Sequence, residues 1–155
     1  MAISKKILKY LDSAKIGYKP IKHKTVYTAY DAAQTLGVKL NEIAKTLVIR
    51  ADKLYLLAVL SASHRLDLGK LKKIVKVKKL EIAKENTMQK IFKVKPGAVT
   101  PFGPLYKTPV FVDKALLRSK KIIAGAGTHE DSVIMTAKNF LKASGGTVGD
   151  FSKKK

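Results

Sequence analysis

NEIAKTLVIRADKLYLLAVLSA, residues 41–62, decides how this chain folds. LYLLAVLSA (54–62) reads as a strongly apolar strand, and KTLVIR (45–50) reads as its partner. Ala51-Asp52-Lys53 between them predict a hairpin connection. One residue breaks the pattern. Lys45 interrupts the apolar run that starts at Ile43, although the usual site for a lysine is a wet surface. A partly buried ammonium must find a carboxylate, a phosphate or a carbonyl, or lose its proton. The plain reading is a lysine that snorkels past the strand end into water. The functional reading is a cation held ready for a ligand.

Outward from the hairpin, helices and strands alternate along the chain. SKKILKYLDSAKI (4–16) places Ile7, Leu8, Leu11 and Ala14 at helical spacing behind a possible Ser4 cap, with Gly17 expected to end the helix. YKPIKH (18–23) is strand-like, with Pro20 suggesting an edge. Thr28 and Asp31 form a capping pair for a helix over AYDAAQTLG, closed by Gly37. A helical turn over Leu40–Ala44 feeds the first strand of the hairpin. DLGKLKKIV (67–75) is helical, VKKLEIA (77–83) extended and KENTMQKIF (84–92) a short helix. KPGAVTPFGPL (95–105) is a loop dense in Pro and Gly. PVFVD (109–113), KIIAGA (121–126) and SVIM (132–135) are strands. TAKNFLKAS (136–144) is a helix capped by Gly145, and TVGDF adds a last strand. The spacing predicts one α+β domain over residues 1–151, with a mixed, largely antiparallel sheet, followed by a frayed basic tail at 152–155.

Charge sets the class of partner. The 155 residues carry 32 basic and 11 acidic side chains, a formal net charge of +21. Such an excess favours a polyanion, because each phosphate neutralised releases condensed counterions. Heat adaptation would enrich Glu alongside Lys, and Glu is scarce. Only Arg50, Arg65 and Arg118 are arginines. Lysine acts as a point charge on phosphate, whereas arginine reads base edges, so backbone binding with little sequence readout is expected. No apolar run reaches the roughly 18 residues of a membrane span. MAISKKILKY lacks the apolar core of a signal peptide, so a cytoplasmic protein is expected.

Side-chain nucleophile chemistry fits poorly. No cysteine is present, which excludes thiolate chemistry and disulfides. Three scattered histidines and no HExxH motif argue against a metal site, and no cofactor motif is present. His129, Asp131 and Ser132 in GTHEDSV invite a triad reading, but triad members come from separate elements. A local turn in which Asp131 and Ser132 bond the backbone is the expectation there. Two loops remain: PGAVTPFG (96–103) and AGAGTHEDS (124–132). Their glycines let backbone approach a ligand and aim amide N–H groups at an anion or a carbonyl oxygen.

HKTVYTAYDAAQTLGVKLNEIAKTLVIR, SHRLDLGKLKK, KPGAVTPFGPLYKTPVFVD and AGAGTHEDSV, taken in order, resemble the YbaK-type aminoacyl-tRNA deacylases. These are free-standing relatives of the editing domain inserted in bacterial prolyl-tRNA synthetases. The resemblance runs from about residue 3 to 151 and implies an α+β fold around a barrel-like sheet surrounded by helices. It implies hydrolysis of the ester joining a wrong amino acid to the terminal adenosine of tRNA, without metal or cofactor. By that resemblance Lys45 of KTL is essential, and the backbone at Gly97, Gly125 and Gly127 serves the catalytic step. His23, Thr46, Pro101, Phe102, Gly103, Thr128 and His129 would bind substrate. Ala124 and Ala126 stand where relatives often carry Asn, Ser or Gly, which bears on amino-acid specificity. The expected partners are a mischarged tRNA and prolyl-tRNA synthetase, with a monomer as the working form. A noncatalytic RNA-binding module on the same fold is the competing expectation.

Overall fold

The computed structural model describes residues 5–25, 29–83, 100–125 and 131–154. Four helices and ten strands are found among them: α1 (Lys5–Ser13), β1 (Lys19–Lys22), α2 (Ala29–Leu36), β2 (Ala44–Ala51), β3 (Leu54–Ser61), β4 (His64–Leu66), α3 (Leu68–Val75) and β5 (Leu80–Ile82). After the second gap come β6 (Val110–Asp113), β7 (Lys121–Gly125), β8 (Asp131–Thr136), α4 (Ala137–Ser144), β9 (Thr147–Gly149) and β10 (Ser152–Lys154).

The hairpin forms as read. β2 and β3 pair antiparallel from Ala44↔Ser61 to Ala51↔Leu54, and Asp52 takes a left-handed φ of 55° at the turn. Asn and Asp tolerate that conformation better than other side chains. Successive side chains of β3 enter opposite apolar layers. Leu57 and Val59 join Ile7, Leu11, Phe102 and Phe140, while Leu56, Ala58 and Leu60 join Ile49, Leu71 and Phe151. The hairpin is therefore the middle layer, with α1 and α4 on one face and α3 on the other. β5 extends the sheet beyond β2, and β6 and β9 extend it beyond β3 in parallel, giving the order β5-β2-β3-β6-β9.

β1, β8 and β7 make a separate antiparallel sheet, and β4 pairs only with β10. The fold is a mixed α+β domain, but its strands do not close into a barrel. Closure requires an unbroken ring of paired strands. Among the described residues no ladder joins β7 to β2, the bridge Ile43↔Ile123 lying just before β2, and β1, β5 and β9 have no partner on their outer side.

Local signals explain most element ends. The Asp67 carboxylate accepts from the Lys70 N–H at 3.1 Å and starts α3, and Thr136 does the same for Asn139 at 3.2 Å in α4. Gly37 (φ 66°) and Gly145 (φ 65°) end α2 and α4 in the left-handed region. α1 differs from expectation. Its left-handed residue is Lys15 (φ 56°), with the Ile16 N–H reaching the Leu11 carbonyl at 3.0 Å, so the helix is closed before Gly17. Ile16 is buried, and that apolar contact outweighs the steric cost of a left-handed lysine. Tyr10 fastens α1 to α4 by donating to the Ala143 carbonyl at 2.6 Å; burial raises its phenol above the ordinary pKa.

Residues 152–154 of the tail expected to fray form a strand instead. Ser152, Lys153 and Lys154 pair with Leu66, Arg65 and His64, and β10 is thereby built into the fold. The expected Ser4 and Thr28 caps and the helix over 84–92 fall outside the described residues.

Candidate active site

Lys45 lies on β2 between two apolar clusters. By strand alternation it shares a face with Ile43, Leu47 and Ile49. Ile43 is buried beneath α2 with Ala32, Ala33 and Ile123, whereas Ile49 is buried with Leu71 and Phe151 beside α3. The half-buried lysine between them donates from Nζ to the His64 carbonyl at 3.1 Å. A carbonyl on a neighbouring strand thus helps to hold the ammonium, rather than bulk water alone.

Strand contacts bring three further residues to the same region. The isolated parallel bridge Ile43↔Ile123 sets the start of β2 against β7, two residues before Lys45 on one strand and two before Gly125 on the other. Gly125 pairs with Ser132, and Ser132 lies 2.9 Å from His23 Nε2. Gly125, Ser132 and His23 are thereby linked across β7, β8 and the end of β1, next to the start of the strand that carries Lys45. A Cβ built on Gly125 would meet nothing within 4 Å among the described residues, which leave open space there. On the same edge of β2 the Ala83 N–H bonds the Val48 carbonyl at 2.8 Å, so residues 45–47 lie between β5 and β7.

Hydrogen bonding fixes the His23 ring. Its Nδ1 lies 2.7 Å from the Lys24 carbonyl, which can only accept, so Nδ1 carries the proton. In the neutral ring Nε2 then accepts from the Ser132 hydroxyl. A hydroxyl on an imidazole is also the geometry of an activated serine. Two facts oppose that use: Ser132 is only 6% exposed, and the His23 Nδ1–H is directed to a backbone carbonyl rather than a carboxylate. The pair orients His23 beside the open space. Asp131 and Ser132 begin β8 instead of forming the expected local turn, and Ser132 bonds a side chain 109 positions away. Alternation along SVIM, with Ile134 packed under α2, was the signal that placed Ser132 on the Gly125 face.

The PFG loop serves packing. Phe102 is fully buried in the main core against Tyr10, with ring centroids 6.3 Å apart, and Pro101 and Gly103 are buried too. The Gly103 N–H bonds Pro101 O at 3.0 Å and the Phe102 N–H bonds Thr100 Oγ1 at 3.3 Å, so neither amide is open to a ligand. Gly103 packs against Val110, which is level with Val48 through Leu57. That level lies about 10 Å along the strands from Lys45. The structure thus places the Phe102 side chain in the main core and engages the Phe102 and Gly103 amides within the loop. A Cβ at Gly103 would overlap Val110 Cγ2 and the Thr108 carbonyl. Gly103→Ala is accordingly expected to destabilise the domain by about 2 kcal/mol, read as a lowered urea midpoint.

Thr46 alternates with Lys45, so its side chain faces the main core together with Ala44 and Val48. Gly97, Gly127, Thr128 and His129 lie outside the described residues. Among the described residues no cluster of three or more His, Asp or Glu side chains is placed to hold a metal ion. No helix among them is long and apolar enough to cross a membrane.

Residues 23–143 match the family model of the aminoacyl-tRNA editing domain. The chain belongs to that family. The matched span takes in Lys45, Gly125, Ser132 and His23 alike. The prolyl-tRNA editing protein ProX of Acetoanaerobium sticklandii is 29% identical to this editing domain over 150 residues, covering 91% of this chain and 92% of ProX. The proline–tRNA ligase of Nitrosomonas eutropha is 31% identical over 110 residues, covering 71% of this chain but only 19% of the ligase. Among solved structures, the crystal structure of a candidate trans-editing enzyme for prolyl tRNA synthetase superposes with a TM-score of 0.85 at 28% identity. It covers 98% of this chain and 99% of that one. The editing domain here therefore matches free-standing relatives over nearly their whole length, and the ligase over about a fifth of its length.

Proposed function

We propose that this editing domain is a trans-editing hydrolase for mischarged tRNA. It cleaves the ester between a wrong amino acid and the terminal adenosine, releasing free amino acid and tRNA. The observation that supports this reading is the Ile43↔Ile123 bridge, which brings the start of the strand carrying Lys45 against the strand that ends at Gly125, in a chain of the editing family. Lys45 anchors the terminal phosphate or the ester region. Backbone amides of the loop that starts at Gly125 polarise the ester carbonyl as it becomes an oxyanion. Water adds to the carbonyl carbon, the ester C–O bond breaks, and the departing ribose oxygen takes up the proton. An activated ester needs only a positioned water and donors for the developing charge. Prolyl-tRNA synthetase is the proposed protein partner, since relatives of this domain occur within proline–tRNA ligases.

A deacylation panel tests this reading, with tRNA charged with alanine, cysteine, serine, threonine or proline and release of free amino acid followed. Hydrolysis of at least one mischarged species is expected. Stoichiometric binding without turnover would instead identify a noncatalytic RNA-binding module. Gly125→Ala sharpens the test. The added methyl meets no atom of the described residues, so the melting temperature should hold while the methyl fills space meant for substrate. Turnover is expected to fall about tenfold, the cost of a small steric misfit in a fitted pocket.

A further inference from the structure

The strand whose carbonyl holds Lys45 and its partner strand carry a run of cationic residues. β10 and β4 form a two-stranded ribbon in which Lys153 pairs with Arg65 and Lys154 with His64. Arg65, Lys153 and Lys154 are exposed, and Lys70 reaches the Ser152 carbonyl at 3.5 Å. Lys45 donates to His64 O, so the ribbon starts where the candidate site ends. Like charges directly opposite each other on a ladder repel and weaken the pairing. An isolated two-stranded ribbon is also marginal in water. Yet this one is firmly held from beneath. Phe151 is fully buried, its carbonyl accepts the Asp67 N–H at 2.8 Å, and Ser152 donates to Asp113 Oδ2 at 2.6 Å. Among the described residues, the ion pairs here run from Lys70 and Lys114 to Asp150, and none involves Arg65, Lys153 or Lys154. The fold thus holds an unneutralised Arg–Lys pair in register, at a cost to its own ladder.

We propose that the β4–β10 ribbon is a phosphate-holding surface, with Arg65 and Lys153 seating consecutive backbone phosphates of the tRNA whose acylated end lies at Lys45. The assignment of tRNA rests on the functional reading above; the charge geometry does not. Phosphate contacts fix register and orientation without reading sequence, which suits a lysine-dominated surface. An acidic protein segment is the other polyanion that could sit there. It is disfavoured because the ribbon adjoins the candidate ester site directly.

Uncharged tRNA is the probe, so binding is measured apart from any chemistry. Arg65→Gln/Lys153→Gln is compared with the charge-matched Lys6→Gln/Lys9→Gln on the exposed face of α1. The ribbon variant is expected to flatten the slope of log K against log salt by about 2, roughly one for each phosphate left unneutralised, and to weaken different tRNAs alike. The α1 variant should keep the wild-type slope. Relief of repulsion should leave the ribbon variant melting no lower than wild type without RNA. Equal slopes for both variants would overturn the proposal, as would a lowered melting temperature that tied the pair to folding. Tighter competition by an acidic peptide than by tRNA would also overturn it. If the deacylation panel fails while the slope changes as expected, the ribbon stands as an RNA surface and only the hydrolase reading falls.

Discussion

Lys45→Ala is expected to lower single-turnover deacylation of a mischarged tRNA by about 100-fold or more, the usual effect of deleting one preorganised charge-stabilising donor. The reason is positional. The ammonium lies on β2 between two apolar clusters, and the bridge Ile43↔Ile123 brings the start of that strand against the one that ends at Gly125. Water that takes its place cannot supply a fixed positive charge. Stability should change little, because the half-buried hydrogen bond to His64 O is worth about 1 kcal/mol. Lys45→Arg separates charge from shape. A planar, forked guanidinium does not occupy the place of a compact ammonium, so only partial rescue is expected. Splitting the effect between kcat and KM assigns the role: a fall in kcat marks an interaction made in the transition state, whereas a rise in KM alone marks ground-state anchoring. A near wild-type rate for Lys45→Ala would remove Lys45 from the mechanism.

The largest stability loss is expected from Asp113→Ala, about 3 kcal/mol or more. Asp113 is fully buried and accepts three hydrogen bonds: Phe151 N–H at 2.9 Å, Ala115 N–H at 3.1 Å and Ser152 O–H at 2.6 Å. Each donor left without an acceptor in the interior costs roughly 1–3 kcal/mol. For a domain of this size that lowers Tm by roughly 6–12 °C. The damage should also reach the site. The Ser152 hydrogen goes to Asp113, so Ser152 Oγ accepts from His64 Nδ1–H at 3.0 Å. Loss of Asp113 frees that hydroxyl, loosens β10 against β4 and shifts the carbonyl that holds Lys45. Asp113→Asn keeps one acceptor oxygen and should lose less than half as much. A thermal melt of Asp113→Ala that overlays wild type would refute this account of how the C-terminal strand is fastened.

Short-range chemistry was legible in the chain itself. The hairpin of β2 and β3 follows from two apolar runs around Asp52, and α3 and α4 start where Asp67 and Thr136 can cap them. Gly37 and Gly145 stop helices because they adopt a left-handed backbone without strain. The oddity of a lysine in an apolar run was equally plain, since alternation alone puts Lys45 among residues that are buried. Those features depend on neighbours a few positions away.

What joins distant segments was not legible. The bridge Ile43↔Ile123 brings the start of β2 against β7, and no local pattern specifies which strands meet at one point. Ser132 looked like part of a turn, but it orients His23 from 109 positions away. Phe102 resembled a substrate contact, yet the core takes it because a large apolar ring gains most by leaving water. SKK at 152–154 reads as a loose basic end until the buried Asp113 is seen to bond Ser152. Local pattern was enough for the α+β elements, the ends of α2 and α4 and the residue worth asking about. Which backbone carbonyl holds that residue, which strands meet beside it and which cations continue its surface came from the folded arrangement, because those depend on packing between segments far apart in the chain.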